Sequence, residues 1–206
     1  MHSATKTSLF LIGAIGLAGC DGASDPFAFD PTFNSFNEIN AALTPDVQAV
    51  VDDDGDLLAG PAANISDSTD FDALTTGSVT YNGAIIAEEV DDGGTLIGQL
   101  QITADLDNSN LEGTAGNFFH SEDGAVTGLM TGSSIFTEEV AGNGDHFALQ
   151  LGGSLQQNGT VLNATANLSG NFFNDSDNVD QVAGDADFDF GLGGPDYDEG
   201  AFQASR

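Results

Sequence analysis

Residues 158–172 read Asn-Gly-Thr-Val-Leu-Asn-Ala-Thr-Ala-Asn-Leu-Ser-Gly-Asn-Phe. Leu162, Ala164, Ala166, Leu168, Gly170 and Phe172 share one parity; Asn163, Thr165, Asn167, Ser169 and Asn171 share the other. Side chains of a strand point alternately to its two faces, so this pattern predicts a half-buried antiparallel strand. Asn158-Gly159, between Leu155 and Val161, predicts a two-residue hairpin turn before it. The same alternation runs outward in both directions: Phe147, Leu149 and Leu151 against Ala148 and Gln150; Leu96, Gly98, Leu100, Ile102 and Ala104 against Ile97, Gln99, Gln101 and Thr103. In Ala186, Phe188 and Phe190 the partners are Asp185, Asp187 and Asp189, an acidic ladder that only solvent can face.

Turn-forming clusters at 92–94, 107–109, 122–124, 142–144 and 174–176 punctuate the remaining segments. The reading gives strands at 77–89, 94–105, 110–119, 126–138, 146–155, 160–173, 182–190 and 199–204. Eight successive strands with one apolar face predict an all-β fold, an eight-stranded antiparallel up-and-down barrel, because closure removes the edges. Whether the first and last strands meet stays open at this stage.

The chain before the barrel differs. Residues 21–70 hold four of the five prolines (Pro26, Pro31, Pro45, Pro61), and Phe27, Phe29, Phe33 and Phe36 alternate with polar residues. This predicts an extended tether with one short helix near residues 46–51. It serves either as a plain spacer or as a segment whose Phe residues lie on the barrel as a plug or swapped strand. At the start, Lys6 precedes the apolar run Leu9 to Leu17, which is too short to span a bilayer and reads as a signal peptide. Cys20 is the one cysteine, so no intrachain disulfide forms. Leu17-Ala18-Gly19-Cys20 resembles the bacterial lipobox, which implies that Cys20 is acylated and that its acyl chains anchor the mature protein to a membrane. The expected organisation is a signal peptide over 1–19, an acylated tether over 20–70 and a barrel over 71–206. The expected location is the cell envelope, the outer membrane ahead of the inner.

Charge limits the partners. The 206 residues include 33 Asp or Glu and two Lys or Arg, a formal charge of -31. Losing the signal removes Lys6 and leaves 33 acids against Arg206 alone, or -32. Nucleic acid is excluded because phosphate neutralisation needs clustered cations, and docking on anionic lipid headgroups is disfavoured for the same reason. At 40% hydrophobic residues, the chain still has the means to bury a core.

Four segments carry a resemblance. They are Thr103-Ala104-Asp105-Leu106-Asp107-Asn108-Ser109-Asn110-Leu111-Glu112-Gly113, Leu168-Ser169-Gly170-Asn171-Phe172-Phe173-Asn174, Val182-Ala183-Gly184-Asp185-Ala186-Asp187-Phe188 and Gly200-Ala201-Phe202-Gln203-Ala204-Ser205-Arg206. Over residues 75–206 they resemble the small β-barrel domain of transferrin-binding protein B and related surface lipoproteins. Phe173-Asn174 stands where that family has Tyr-Gly, and the chain has room for one barrel and no handle domain, so transferrin capture is not implied. The resemblance implies a displayed barrel that binds a solute or a host or partner ligand, with iron or haem capture among the relatives.

No catalytic motif is present: no nucleophile elbow, phosphate loop, dinucleotide fingerprint or zinc-protease helix. The chain is expected to be non-enzymatic and to need no cofactor. His120, after Phe118-Phe119, and His146, before Phe147, are candidate axial ligands for haem; the competing reading makes both surface histidines in acidic loops. By parity, His146 should point away from the face of Phe147. Weak Ca²⁺ binding is a further candidate, from Asp52-Asp53-Asp54-Gly55-Asp56 and from Asp175, Asp177 and Asp180, although neither set has EF-hand spacing. Two functions follow. One is a binding barrel that keeps a cavity or apolar patch; the other is an inert acidic surface lipoprotein packed solid.

Overall fold

The computed structural model describes residues 29–52, 56, 58–62, 64–67, 70–71, 77–90, 93–138, 145–174, 179–191, 194–197 and 200–206. The signal peptide, the lipobox with Cys20, Phe27, most of the 52–56 acidic run, and Asp175 and Asp177 lie outside them.

Eight antiparallel strands form one closed up-and-down barrel. They are β1 (Ser78–Glu88), β2 (Thr95–Asp105), β3 (Asn110–His120), β4 (Gly124–Ile135), β5 (Phe147–Gln157), β6 (Thr160–Asn174), β7 (Val179–Asp189) and β8 (Gly200–Ser205). Closure is made by β1 with β8, from Asn82 opposite Ser205 to Ile86 opposite Ala201. This answers the question left open by the sequence. The β5–β6 hairpin turns through Asn158 and Gly159, at φ 50° and 82°; both angles are positive, as the tight primed turn requires.

Residues of the inward parity meet in the lumen. Tyr81, Ile85, Leu100, Ile102, Leu111, Met130, Leu151, Ala166, Phe172 and Phe202 are all buried to 1% exposure or less. Glycine on the inner wall makes room for rings arriving from elsewhere: Phe118 lies where a side chain on Gly98 would project, and Phe202 does the same at Gly170. Gly98→Val should therefore cost about 1–3 kcal/mol by overpacking. A urea titration compared with Gly152→Ala, where a Cβ meets open space, checks this. Equal midpoints for the two variants would refute it.

Much of the outward face of β5 to β7 is polar or acidic: Gln150, Ser154, Gln156, Asn163, Asn167, Asp185, Asp187 and Asp189 are exposed or partly so. A barrel that crosses a bilayer shows the reverse arrangement, an apolar belt outside, so this wall faces water. Among the described residues no helix is long and apolar enough to cross a membrane.

The expected extended tether is corrected over residues 29–51. Helix α1 (Phe36–Gln48) replaces the short helix expected at 46–51, and a single turn, α2 (Ala59–Ala62), follows. Ser35 caps α1, its Oγ accepting from the Glu38 N–H at 3.3 Å, while Glu38 reaches back to the Asn34 N–H at 2.9 Å. Pro45 lies inside the last turns, where it removes one intrahelical donor. The loss is outweighed by burial: Ile39, Val47, Val50 and Val51 are 5% exposed or less against the outer barrel wall. The opposing wall residues are Ala84, Ile86, Ile97, Phe119, Phe173, Ala183 and Ala201.

Candidate functional site

Buried apolar side chains line the lumen. Its ends are closed by two aromatic groups. At the far end, where β1 turns into β2 and β7 leads to β8, Phe118, Phe188, Phe190 and Tyr197 lie with centroids 5.2–6.5 Å apart. At the entry end, where β1 begins and β8 finishes, Phe71, Phe136, His146, Phe147 and Phe172 form the second group. Tyr81 reaches into the same end and its hydroxyl donates to the Val179 carbonyl at 3.1 Å. Burial pushes this phenol, and that of Tyr197, well above the ordinary range, so both remain neutral.

Among the described residues a concavity lies on the outside of the barrel. A groove of about 360 Å³ runs between α1 and the barrel wall. Its apolar lining comes from Val47, Val51, Ile86, Ala87 and Ala201, and its polar lining from Asn40, Thr44, Gln48, Asp52, Glu88 and Thr95. The size is that of a small-ligand site, and two carboxylates with no cation among the lining residues select against anions. The groove exists because α1 is amphipathic and docks its apolar face on an apolar patch of the wall.

The two histidines sit at opposite ends of the barrel, so one haem cannot take both as axial ligands. Neither is a surface residue: each is 2% exposed, which corrects the reading of both as solvated loop histidines. His120 ends β3 beneath Gly94. The Asp123 N–H donates to its Nδ1 at 3.3 Å, which leaves the ring proton on Nε2, 3.2 Å from Glu89 Oε2. Asp123 is fixed in turn by donors from Gln157 and Asn158 at 3.0 and 3.1 Å.

His146 has turned inward, against the parity expectation, because β5 starts only at Phe147 and the alternation does not extend back to it. Its ring lies between Phe71 and Phe172, with Nδ1 3.0 Å from Asn171 Oδ1. Burial holds its pKa below the ordinary value, outweighing the upward pull of Asn171, the Ser66 backbone and Asp145.

Of the acidic loops, Asp52 accepts from the Asp56 N–H at 3.0 Å. Asp180 is held by Arg206, whose Nε donates to it at 2.6 Å across β7 and β8. Arg206, the only Lys or Arg among the described residues, thus ties the end of β8 to β7. Among the described residues no group of three or more His, Cys, Asp or Glu is placed to hold a metal ion.

The fold and groove define a closed antiparallel barrel with a docked external helix. Compared with known families and with curated proteins, the chain matches no family model and no curated sequence.

Proposed function

We propose that this is a non-enzymatic, lipid-anchored envelope protein, held through Cys20, that binds a neutral or cationic solute or partner on the outer wall of its barrel. One observation carries the reading. A groove of about 360 Å³ with an apolar floor and polar rim lies between α1 and the wall, outside the buried apolar residues that line the lumen. The resemblance to the barrels of transferrin-binding protein B relatives supports display on the outer membrane. Haem fits less well: its propionates are anionic, the groove lining has no cation, and both imidazoles are buried. The burial of the inward-facing side chains also favours a second reading, an inert acidic coat lipoprotein.

Purified wild-type protein, Thr44→Trp and Gln150→Trp, each immobilised and exposed to envelope extract, separate the two. Thr44 lines the groove and Gln150 is exposed on the distant wall. The binding reading expects material retained by the wild type and Gln150→Trp and lost with Thr44→Trp. Equal retention by all three, or none, supports the inert coat. Proteolysis of intact cells tests display, which protection of residues 75–206 would reject.

A further inference from the structure

The entry end of the barrel is covered by chain that precedes the barrel. Ile65 bridges to Phe173, the Ser66 N–H donates to the Phe172 carbonyl at 2.9 Å, and the Asn174 N–H donates to the Asn64 carbonyl at 3.0 Å. Asn174 Nδ2 also donates to Asp70 Oδ1 at 2.6 Å. From this strap Phe71 enters the mouth, 5.7 Å from Phe136 and edge-on to Phe172 at 5.2 Å. His146 touches the strap from the barrel side, its ring centroid 5.7 Å from that of Phe71. Ser66 Oγ is buried here without a hydrogen-bond partner, and the His146 ring is 2% exposed between Phe71 and Phe172. A charge on the imidazole would be desolvated at this contact by more than Asn171, the Ser66 backbone and Asp145 compensate, so the contact is favoured while the ring is neutral.

We propose that the strap described at residues 64–67, 70 and 71 is an acid-released lid over the entry end of the barrel, with His146 as its latch. Among the described residues, the titratable groups around the latch come from three places. The strap supplies Asp67 and Asp70, the latter held by Asn174. The β4–β5 connection supplies Glu138 and Asp145, and Asp145 accepts from Asn171 Nδ2 at 3.1 Å, one residue removed from the ring. The β7–β8 pair supplies Asp180 with Arg206, beside Tyr81. β6 contributes only the neutral Asn171 and Phe172.

With the lid open, the imidazole is in water and titrates near its ordinary value of about 6.5. With the lid closed, burial delays protonation to lower pH. Closure is therefore fully favoured above about pH 6.5 and weakens as pH falls from there through the closed-state pKa. Release uncovers the rings of Phe136, Phe147 and Phe172, an apolar surface that the closed barrel hides.

Amide hydrogen exchange on the full chain, at about pH 7.5 and about pH 5 and corrected for intrinsic rates, tests this. The Ser66 and Asn174 amides, which donate to the Phe172 and Asn64 carbonyls across the strap–barrel contact, report on it. In the wild type their protection should fall on the order of tenfold in acid while the β6 core amides hold. In His146→Gln it should not respond to pH. An equal acid response in His146→Gln would assign the effect to Asp67 or Asp70 and overturn the proposal, as would no response in the wild type. Should His146→Gln fail to fold, an NMR titration of the wild type decides: the His146 ring and Phe71 ring signals must shift with one midpoint, and separate midpoints overturn the latch.

Discussion

Replacing Phe172 by alanine should cost about 3–5 kcal/mol, the range for deleting a fully buried ring. Phe172 is 0% exposed and at the hub of the entry-end group, with Phe71, Tyr81, Phe136, His146 and Phe147 all within 5.9 Å of its centroid. Several of these pairs meet edge to face, which adds to the area term. The site cannot collapse to fill the void, because the rings around it come from four segments, the strap, β1, the end of β4 and the start of β5, each fixed by its own strand or strap. Against a total stability of roughly 5–15 kcal/mol, such a loss is a large fraction, and the melting temperature should drop by about 10 °C or more. Urea unfolding should show a lower midpoint at unchanged slope. Val161→Ala, at a side chain 62% exposed, should stay within about 0.5 kcal/mol of wild type. A Phe172→Ala cost below about 1 kcal/mol would mean that the hub is not packed as described.

The same residues show how far the sequence could be read. Alternation around Phe172 sufficed for the barrel because the inner face is continuous and apolar in every strand, and period two survives wherever one face is dry. It misled where a second layer covers the outside. Ile97 shares its parity with Gln99, Gln101 and Thr103, so it counted as solvent-facing, yet it is 0% exposed beneath α1. Ile86, Phe119 and Phe173 break the outward pattern in the same way. Phe119 does so through an irregularity: Asn117, at φ 50°, is the extra residue where the β2–β3 register shifts, so Phe118 turns inward and Phe119 outward. A signal for the covering helix was present in Ser35-Phe36-Asn37-Glu38, a capping box, followed by Ile39, Leu43 and Val47 at helical spacing. Four prolines and interleaved Phe residues obscured it. The groove was not legible, since it arises only when α1 meets the wall, and no local pattern encodes that meeting.

Ile97→Asp should detach α1 while leaving the barrel closed. The Ile97 side chain points outward into a dry contact made by Ile39, Phe119, Phe33, Phe36 and Leu43, with no cation among them. A carboxylate held there would lose its hydration without gaining a partner, a cost of several kcal/mol. The barrel can escape that cost, because the lumen lies on the other side of the sheet and the β2 ladder to β1 and β3 does not need the helix. Undocking limits the penalty to the free energy of helix docking. The substitution should therefore leave the β-sheet circular dichroism in place, reduce the helical contribution, and open the chain between residues 29 and 77 to proteolysis. It should also abolish the groove, since α1 supplies one of its walls. Gln150→Asp adds the same charge at an exposed position on the far wall and should do none of this. If Ile97→Asp melts the sheet and the helix together, α1 belongs to the folding unit of the barrel and the two-layer account fails. If only the helix is lost, any ligand captured by the wild type but not by Ile97→Asp is assigned to the α1 groove.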